Sequence, residues 1–212
     1  MKVFIDNDII LKISSIAAWK EVEETFRVKR DSFYVLPTAK NYIQKSKTVK
    51  KNYTEEVIKY ALEFIATCNE ITEQQINKDD IDSLSEVPNI DAGELILFSV
   101  KNVNDFLILT GDKKAIIQLN SANEAIKEKL EHKIVCLEKL LLEILRNNDF
   151  ETIERKIKSN FCSNDKVVKI AFSQSDLSVG KVNECLSSYY QDLKNKSNHF
   201  LYLFILIYLI IN

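Results

Sequence analysis

The chain has 212 residues, 46% apolar and 28% charged, a balance suited to one hydrophobic core with an appendage. Its 29 basic and 31 acidic side chains leave a net charge of −2, which excludes a whole-chain attraction to nucleic acid or membrane and confines any such signal to a local patch. Cys68, Cys136, Cys162 and Cys185 stand far apart with no CxxC pair, arguing against a zinc site and for free thiols in a reducing cytosol. The two histidines, His132 and His199, sit in no recognisable nucleophilic setting, so carboxylates are the expected carriers of any chemistry.

The first segment, KVFIDNDII, reads as a strand of continuous apolar type, as in a parallel sheet covered on both faces. Asp6, Asn7 and Asp8 interrupt it, which speaks against a secretory signal peptide. Leu11 to Thr25 carries Ile13, Ile16, Ala17 and Val22 near helical spacing, and SFYVLPT reads as a second strand stopped by Pro37. A lysine-rich helix or loop runs from Ala39 to Asn52. YTEEVIKYALEFIATCNEI is an amphipathic helix, capped by Thr54, with Val57, Ala61, Phe64 and Ile65 as its stripe. NKDDIDSLSEVPN reads as a polar connection. IDAGELILFSVKN begins a helix, DFLILTGDKK is a strand turning into another, and AIIQLNSANEAIKEKLE continues helically.

HKIVCL reads as a short last strand and EKLLLEIL as a helix. The alternation predicts an α/β domain of three layers with a mainly parallel sheet over residues 1–145, ending near Leu145. Residues 146–212 form a mostly helical extension, with FETIERKIK and VNECLSSYYQDLKNK as helices and KVVKIAF as a strand. The chain ends in FLYLFILIYLII. As a helix this run reaches about 18 Å, short of the ~30 Å hydrocarbon core, so a buried terminal helix or strand is the favoured reading. Membrane association through residues 200–212 is the lesser one, kept open by Lys194 and Lys196.

In a parallel sheet, functional groups gather at the carboxyl ends of the strands. Asp6 and Asp8 lie towards that end of the first strand, Asp112 follows FLILTG at the same edge, and Glu94 opens the helix that leads into that later strand. Such a cluster repels itself unless a cation neutralises it, and hard ions such as Mg²⁺ or Mn²⁺ suit oxygen ligands. Two of the three glycines, Gly93 and Gly111, directly precede Glu94 and Asp112; both a close ligand approach and an ordinary turn would explain them. Each acid also has a plain structural role: Asp8 as a helix cap, Asp91 with Glu94 as a capping box, Asp112 as an N-cap. Arg27, Lys29, Arg30, Lys40, Lys45, Lys47, Lys50 and Lys51 face only Asp31 as a local acid, with Tyr42 and Tyr53 interleaved. A phosphate backbone would be attracted to that stretch. Trp19, the only tryptophan, is expected in the core.

VFIDNDII resembles the first strand of PIN-domain nucleases, IDAGELILFSV resembles the D-x-G-E helix start of one branch of PIN-like proteins, and FLILTGDKKAI resembles their later aspartate-bearing strand. All three occur in that order within residues 1–145. The resemblance implies a ribonuclease dependent on Mg²⁺ or Mn²⁺, with Asp6, Glu94 and Asp112 as catalytic ligands, Asp8 assisting Asp6, and Asp91 supporting the helix start. It implies an RNA substrate held by Lys45, Lys47, Lys50, Lys51 and Lys113. It also implies a protein partner, since many bacterial members are toxins silenced by an antitoxin, and a homodimer is a further expectation. Many members place a glutamate on the helix after the second strand, where VLPTAKNYI offers Asn41. Some carry two consecutive aspartates where this chain has Gly111 and Asp112. The alternative reading is therefore a catalytically weak or inactive module that binds nucleic acid or a partner.

Overall fold

The computed structural model describes residues 1–101, 105–160, 165–173 and 176–202. Five parallel strands form one sheet in the order β3-β2-β1-β4-β5: β1 (Lys2–Ile5), β2 (Phe33–Val35), β3 (Asn69–Glu70), β4 (Phe106–Leu109) and β5 (Ile134–Val135). β1 lies at the centre, with Val3 opposite both Phe33 of β2 and Leu107 of β4. Consecutive residues of a strand point to opposite faces, and Val3, Phe4 and Ile5 are buried in succession, as is all of β4. Both faces of the central strands are therefore covered, which is why these segments are apolar throughout.

The covering helices are α1 (Asn7–Ser15), α2 (Trp19–Phe26), α3 (Ala39–Lys45), α4 (Lys47–Asn52), α5 (Glu55–Ile65), α6 (Lys78–Ser85), α7 (Ala92–Phe98), α8 (Lys113–Gln118), α9 (Glu124–Leu130), α10 (Leu137–Asn147), α11 (Phe150–Asn160), α12 (Lys166–Phe172) and α13 (Val179–Lys196). Helix α5 packs against α1 and α3, whereas α10 packs against α2 and α13. Trp19 is fully buried; it stacks on Phe64 at 3.4 Å between ring centroids and its Nε1 donates to Ser14 Oγ at 3.0 Å. As expected, Thr54 caps α5, whose stripe of Val57, Ala61, Phe64 and Ile65 is buried.

Helix α10 runs through Leu145, and Ile153, Val168, Phe172, Val182 and Leu186 of the extension join the same apolar cluster as the sheet. Lys156 of α11 reaches back to Glu21 Oε1 at 2.5 Å and to the carbonyl of Ala17 at 3.0 Å. The first residues of the terminal apolar run are strand-like. Ile134 N–H donates to the Phe200 carbonyl at 3.0 Å, and Tyr202 N–H donates to the Ile134 carbonyl at 2.7 Å, a parallel bridge beside β5. Residues 203–212 of that run lie outside the described residues. Among the described residues no helix is long and apolar enough to cross a membrane.

Several segments differ from the sequence expectation. KVFIDNDII is not one strand: β1 ends at Ile5, Asp6 adopts an extended N-cap conformation, and α1 begins at Asn7 with Ile9, Ile10 and Ile13 buried at helical spacing. The stretch from Leu11 to Thr25 is divided between α1 and α2 by Ala17 in the left-handed region, φ 48°. NKDDIDSLSEVPN contains α6, capped by Asn77 and acidic in its first turn, which suits the positive helix end; only Leu84 is buried, so it shows no stripe. The expected long helix after α8 is interrupted by a 3₁₀ turn at Leu119–Ser121 and restarts at Asn123, which caps α9. KVVKIAF is helix α12, not a strand, because Asp165 caps it and Val167, Val168, Ala171 and Phe172 share one buried helical face.

Candidate acidic groove

Three chain segments deliver carboxylates to one groove of about 990 Å³. Asp6, Asn7 and Asp8 come from the β1–α1 junction, Asp91 to Glu94 from the start of α7, and Gly111 with Asp112 from the β4–α8 turn. Leu36, Thr38, Asn41, Tyr42, Lys45 and Ser46, from the end of β2 to the α3–α4 junction, line the rest of it. The location follows from topology. β1 and β4 are neighbours whose onward connections run to opposite sides, and a crevice opens beyond their carboxyl ends.

Thr110 ties two of the acids together. Its hydroxyl donates to Asp6 Oδ2 at 3.3 Å and accepts from the backbone N–H of Asp112 at 3.2 Å. Asp112 caps α8, its Oδ1 accepting from Lys114 N–H at 2.8 Å and Ala115 N–H at 2.9 Å. Asp91 and Glu94 form the expected capping box: Glu94 N–H donates to Asp91 Oδ1, and Asp91 N–H donates to Glu94 Oε2, each at 2.8 Å. Capping thus uses one oxygen each of Asp91, Glu94 and Asp112. The structural and chemical readings of these acids coexist.

The electrostatics record how closely the acids crowd. Burial, followed by the charges of Asp8 and Asp91, pushes the Asp6 carboxyl up to about 6, against the opposing hydrogen bonds of the Asn7 amide and Thr110. Burial also pushes Glu94 up to about 7, with Asp112, Asp91 and Asp6 adding to it and the Asp91 amide resisting. Glu94 therefore feels three of the four other groove acids. Asn7 lines the same groove, and its Oδ1 is buried without a hydrogen-bond partner. Among the described residues, however, no group of three or more His, Cys, Asp or Glu side chains stands close enough to enclose an ion.

Asp8 does lie beside Asp6, but its Oδ2 is ion-paired to Lys12 Nζ at 2.6 Å. Lys45 borders the groove, while Lys47, Lys50 and Lys51 are exposed on α4. Helices α3 and α4 contain no acid, and among the described residues none of Lys40, Lys45, Lys47, Lys50 and Lys51 pairs with one. Arg30, by contrast, is ion-paired to Glu23 and lies over the Phe64 ring at 4.9 Å. Lys113 is ion-paired to the fully buried Glu138, which gives it a structural duty. Gly93 and Gly111 have ordinary backbone angles. At Gly111 a Cβ would stand 2.3 Å from Asp8 Oδ2, so the glycine makes room for that carboxylate.

Sequence reasoning missed Thr110, Lys12 and Asp165. The placing of Thr110 directly before Gly111 and Asp112 was a signal, as was the i,i+4 spacing of Asp8 and Lys12; nothing in the sequence linked Asp165 to the groove.

Fold and site together define an α/β protein with an acidic groove at the switch point of a parallel sheet, flanked by a cationic helical pair. Comparison with protein-family models, curated proteins and solved structures finds no match.

Proposed function

We propose that the chain is a metal-dependent ribonuclease of the PIN kind, hydrolysing phosphodiester bonds in the acidic groove. The observation that carries this reading is the meeting of Asp6, Glu94 and Asp112, from three separate segments, beside an acid-free lysine surface. Carboxylates raised to about 6 and about 7 by burial and mutual repulsion are relieved when a cation joins them, and their oxygens are the donors Mg²⁺ and Mn²⁺ favour. Asp6, Glu94 and Asp112 would hold the ion, which supplies acidity to bound water and screens phosphate charge. Thr110 fixes the Asp6 carboxylate, and the Asp91 amide fixes that of Glu94. Lys45, Lys47, Lys50 and Lys51 would bind the phosphate backbone by charge. A toxin restrained by a partner protein belongs to the same reading.

The second reading, an inactive nucleic-acid-binding module, is favoured by two observations. No three groove acids close into a ready-made ion site among the described residues, and Asn41, not an acid, faces the groove from α3. Asp6→Asn separates the two. Under the first it abolishes RNA cleavage and Mn²⁺ binding while RNA binding persists; unchanged cleavage and ion binding in the variant would leave the second.

A further inference from the structure

Lys12 lies in α1 with its side chain only 11% exposed, and its Nζ is 2.6 Å from Asp8 Oδ2 and 2.8 Å from Asp165 Oδ2. Asp165 belongs to the extension, 153 residues away in the chain. Its other oxygen caps α12, accepting from Val167 N–H at 3.0 Å and Val168 N–H at 3.1 Å. The bridge is therefore held at both ends, by α1 and by the extension. Gly111 lets it sit directly against the β4–α8 turn, since a Cβ there would come 3.4 Å from Lys12 Nζ. Burial alone would lower the affinity of Lys12 for its proton, but the two carboxylates outweigh it and hold the ammonium above its usual range. A buried, charged ammonium thus occupies Oδ2 of Asp8, the groove acid next to Asp6.

We propose that Lys12 is the resident cation of the acid rim, standing in for a second metal ion, so that the groove takes one divalent ion through Asp6, Glu94 and Asp112 while Asp8 takes no part in holding it. This rests on the nuclease reading above. Asp165 is then a positioning residue: it fixes the ammonium and sets the charge of the bridge. Asp8, Lys12 and Asp165 together carry two negative charges and one positive, a net −1. Lys12→Met makes the rim one charge more negative, and Asp165→Asn makes it one charge less negative while keeping a good helix cap.

The test is Mn²⁺ titration of the metal-free full-length chain by calorimetry, with bound ions counted by paramagnetic resonance and folding checked by circular dichroism. The wild type is expected to bind one ion. Lys12→Met binds it about tenfold more tightly, and Asp165→Asn a few-fold more weakly, the scale expected for one charge within about 8 Å in a partly solvated groove. The double variant, again at net −1, returns towards wild type. A purely structural bridge would weaken binding in both single variants, and that result overturns the inference. So do two ions in the wild type, with the nuclease reading left standing; no bound ion removes both. Should Lys12→Met fail to fold, the wild-type count and Asp165→Asn still decide.

Discussion

Replacing Asp6 by asparagine should stabilise the metal-free protein, and only above mildly acidic pH. Asparagine keeps the acceptor that Thr110 uses and removes only the charge. The Asp6 carboxyl is raised from 3.8 to about 6, by burial first and then by Asp8 and Asp91. Its folded-state pKa exceeds its unfolded one, so between those values the native state holds more proton than the unfolded chain, and stability falls as pH rises through the window. The full penalty, present above about pH 6, is about 3 kcal/mol at 1.36 kcal/mol per pKa unit. Solvent on the groove side reduces it to about 2 kcal/mol. For a chain of this size that is a rise in Tm of about 4–8 °C at pH 8, shrinking to nothing near pH 4. Thermal and urea unfolding of both proteins across pH 4–8, with a chelator present, measures the gap. Asp6→Asn less stable than wild type at pH 8, or a gap that does not change with pH, would refute the account of the groove as a self-repelling cluster. Added Mn²⁺ should stabilise the wild type and not the variant.

Other changes test the surroundings of the groove. Gly111→Ala places a Cβ 2.3 Å from Asp8 Oδ2 and must turn that carboxylate off Lys12; because it is the end of a 42% exposed side chain, the loss in urea unfolding should stay below about 1 kcal/mol, and a loss of several kcal/mol would show that the backbone has to give instead. Lys113→Met leaves the fully buried Glu138 without its cation and should cost about 3–5 kcal/mol, whereas Lys114→Met on the exposed face should be near neutral. Equal effects at the two positions would deny Lys113 its structural role. Reversing Lys47, Lys50 and Lys51 to glutamate should leave the melting curve in place but weaken single-stranded RNA binding. The log–log salt dependence should flatten by about 2, and an unaltered slope would take the substrate off this surface.

Much of this was legible in the sequence, for physical reasons that differ from element to element. β4 announced itself because a strand buried on both faces must be apolar at every position, and FLIL is. The capping box of Asp91 and Glu94 was equally visible, since it is a local hydrogen-bonding pattern. The break after Ile5 was hidden because Ile9 and Ile10 extend the same apolar run, and only Asp6 marks the change from strand to helix. KVVKIAF misled through its β-branched residues, although Asp165 before it and the spacing of Val168 and Phe172 carried the helical signal. β3, two exposed polar residues, had no pattern to read. Of the groove, the placing of Asp6 and Asp112 followed from topology, which predicts where strand ends meet, and that of Glu94 from the helix start that resembles D-x-G-E. The Lys12–Asp165 bridge was not, because no periodicity links residues so far apart.

The strand-like seat of Phe200–Tyr202 beside β5 has a consequence for how molecules of this protein meet. A bare strand at the margin of a sheet is a template on which a neighbouring copy can grow. Here one margin is already sealed by the chain's own extension, and the other stops at a strand two residues long. The extension thereby also works as a selvedge: peeling it away would expose fresh backbone donors and acceptors, and clumping should set in before the core itself melts.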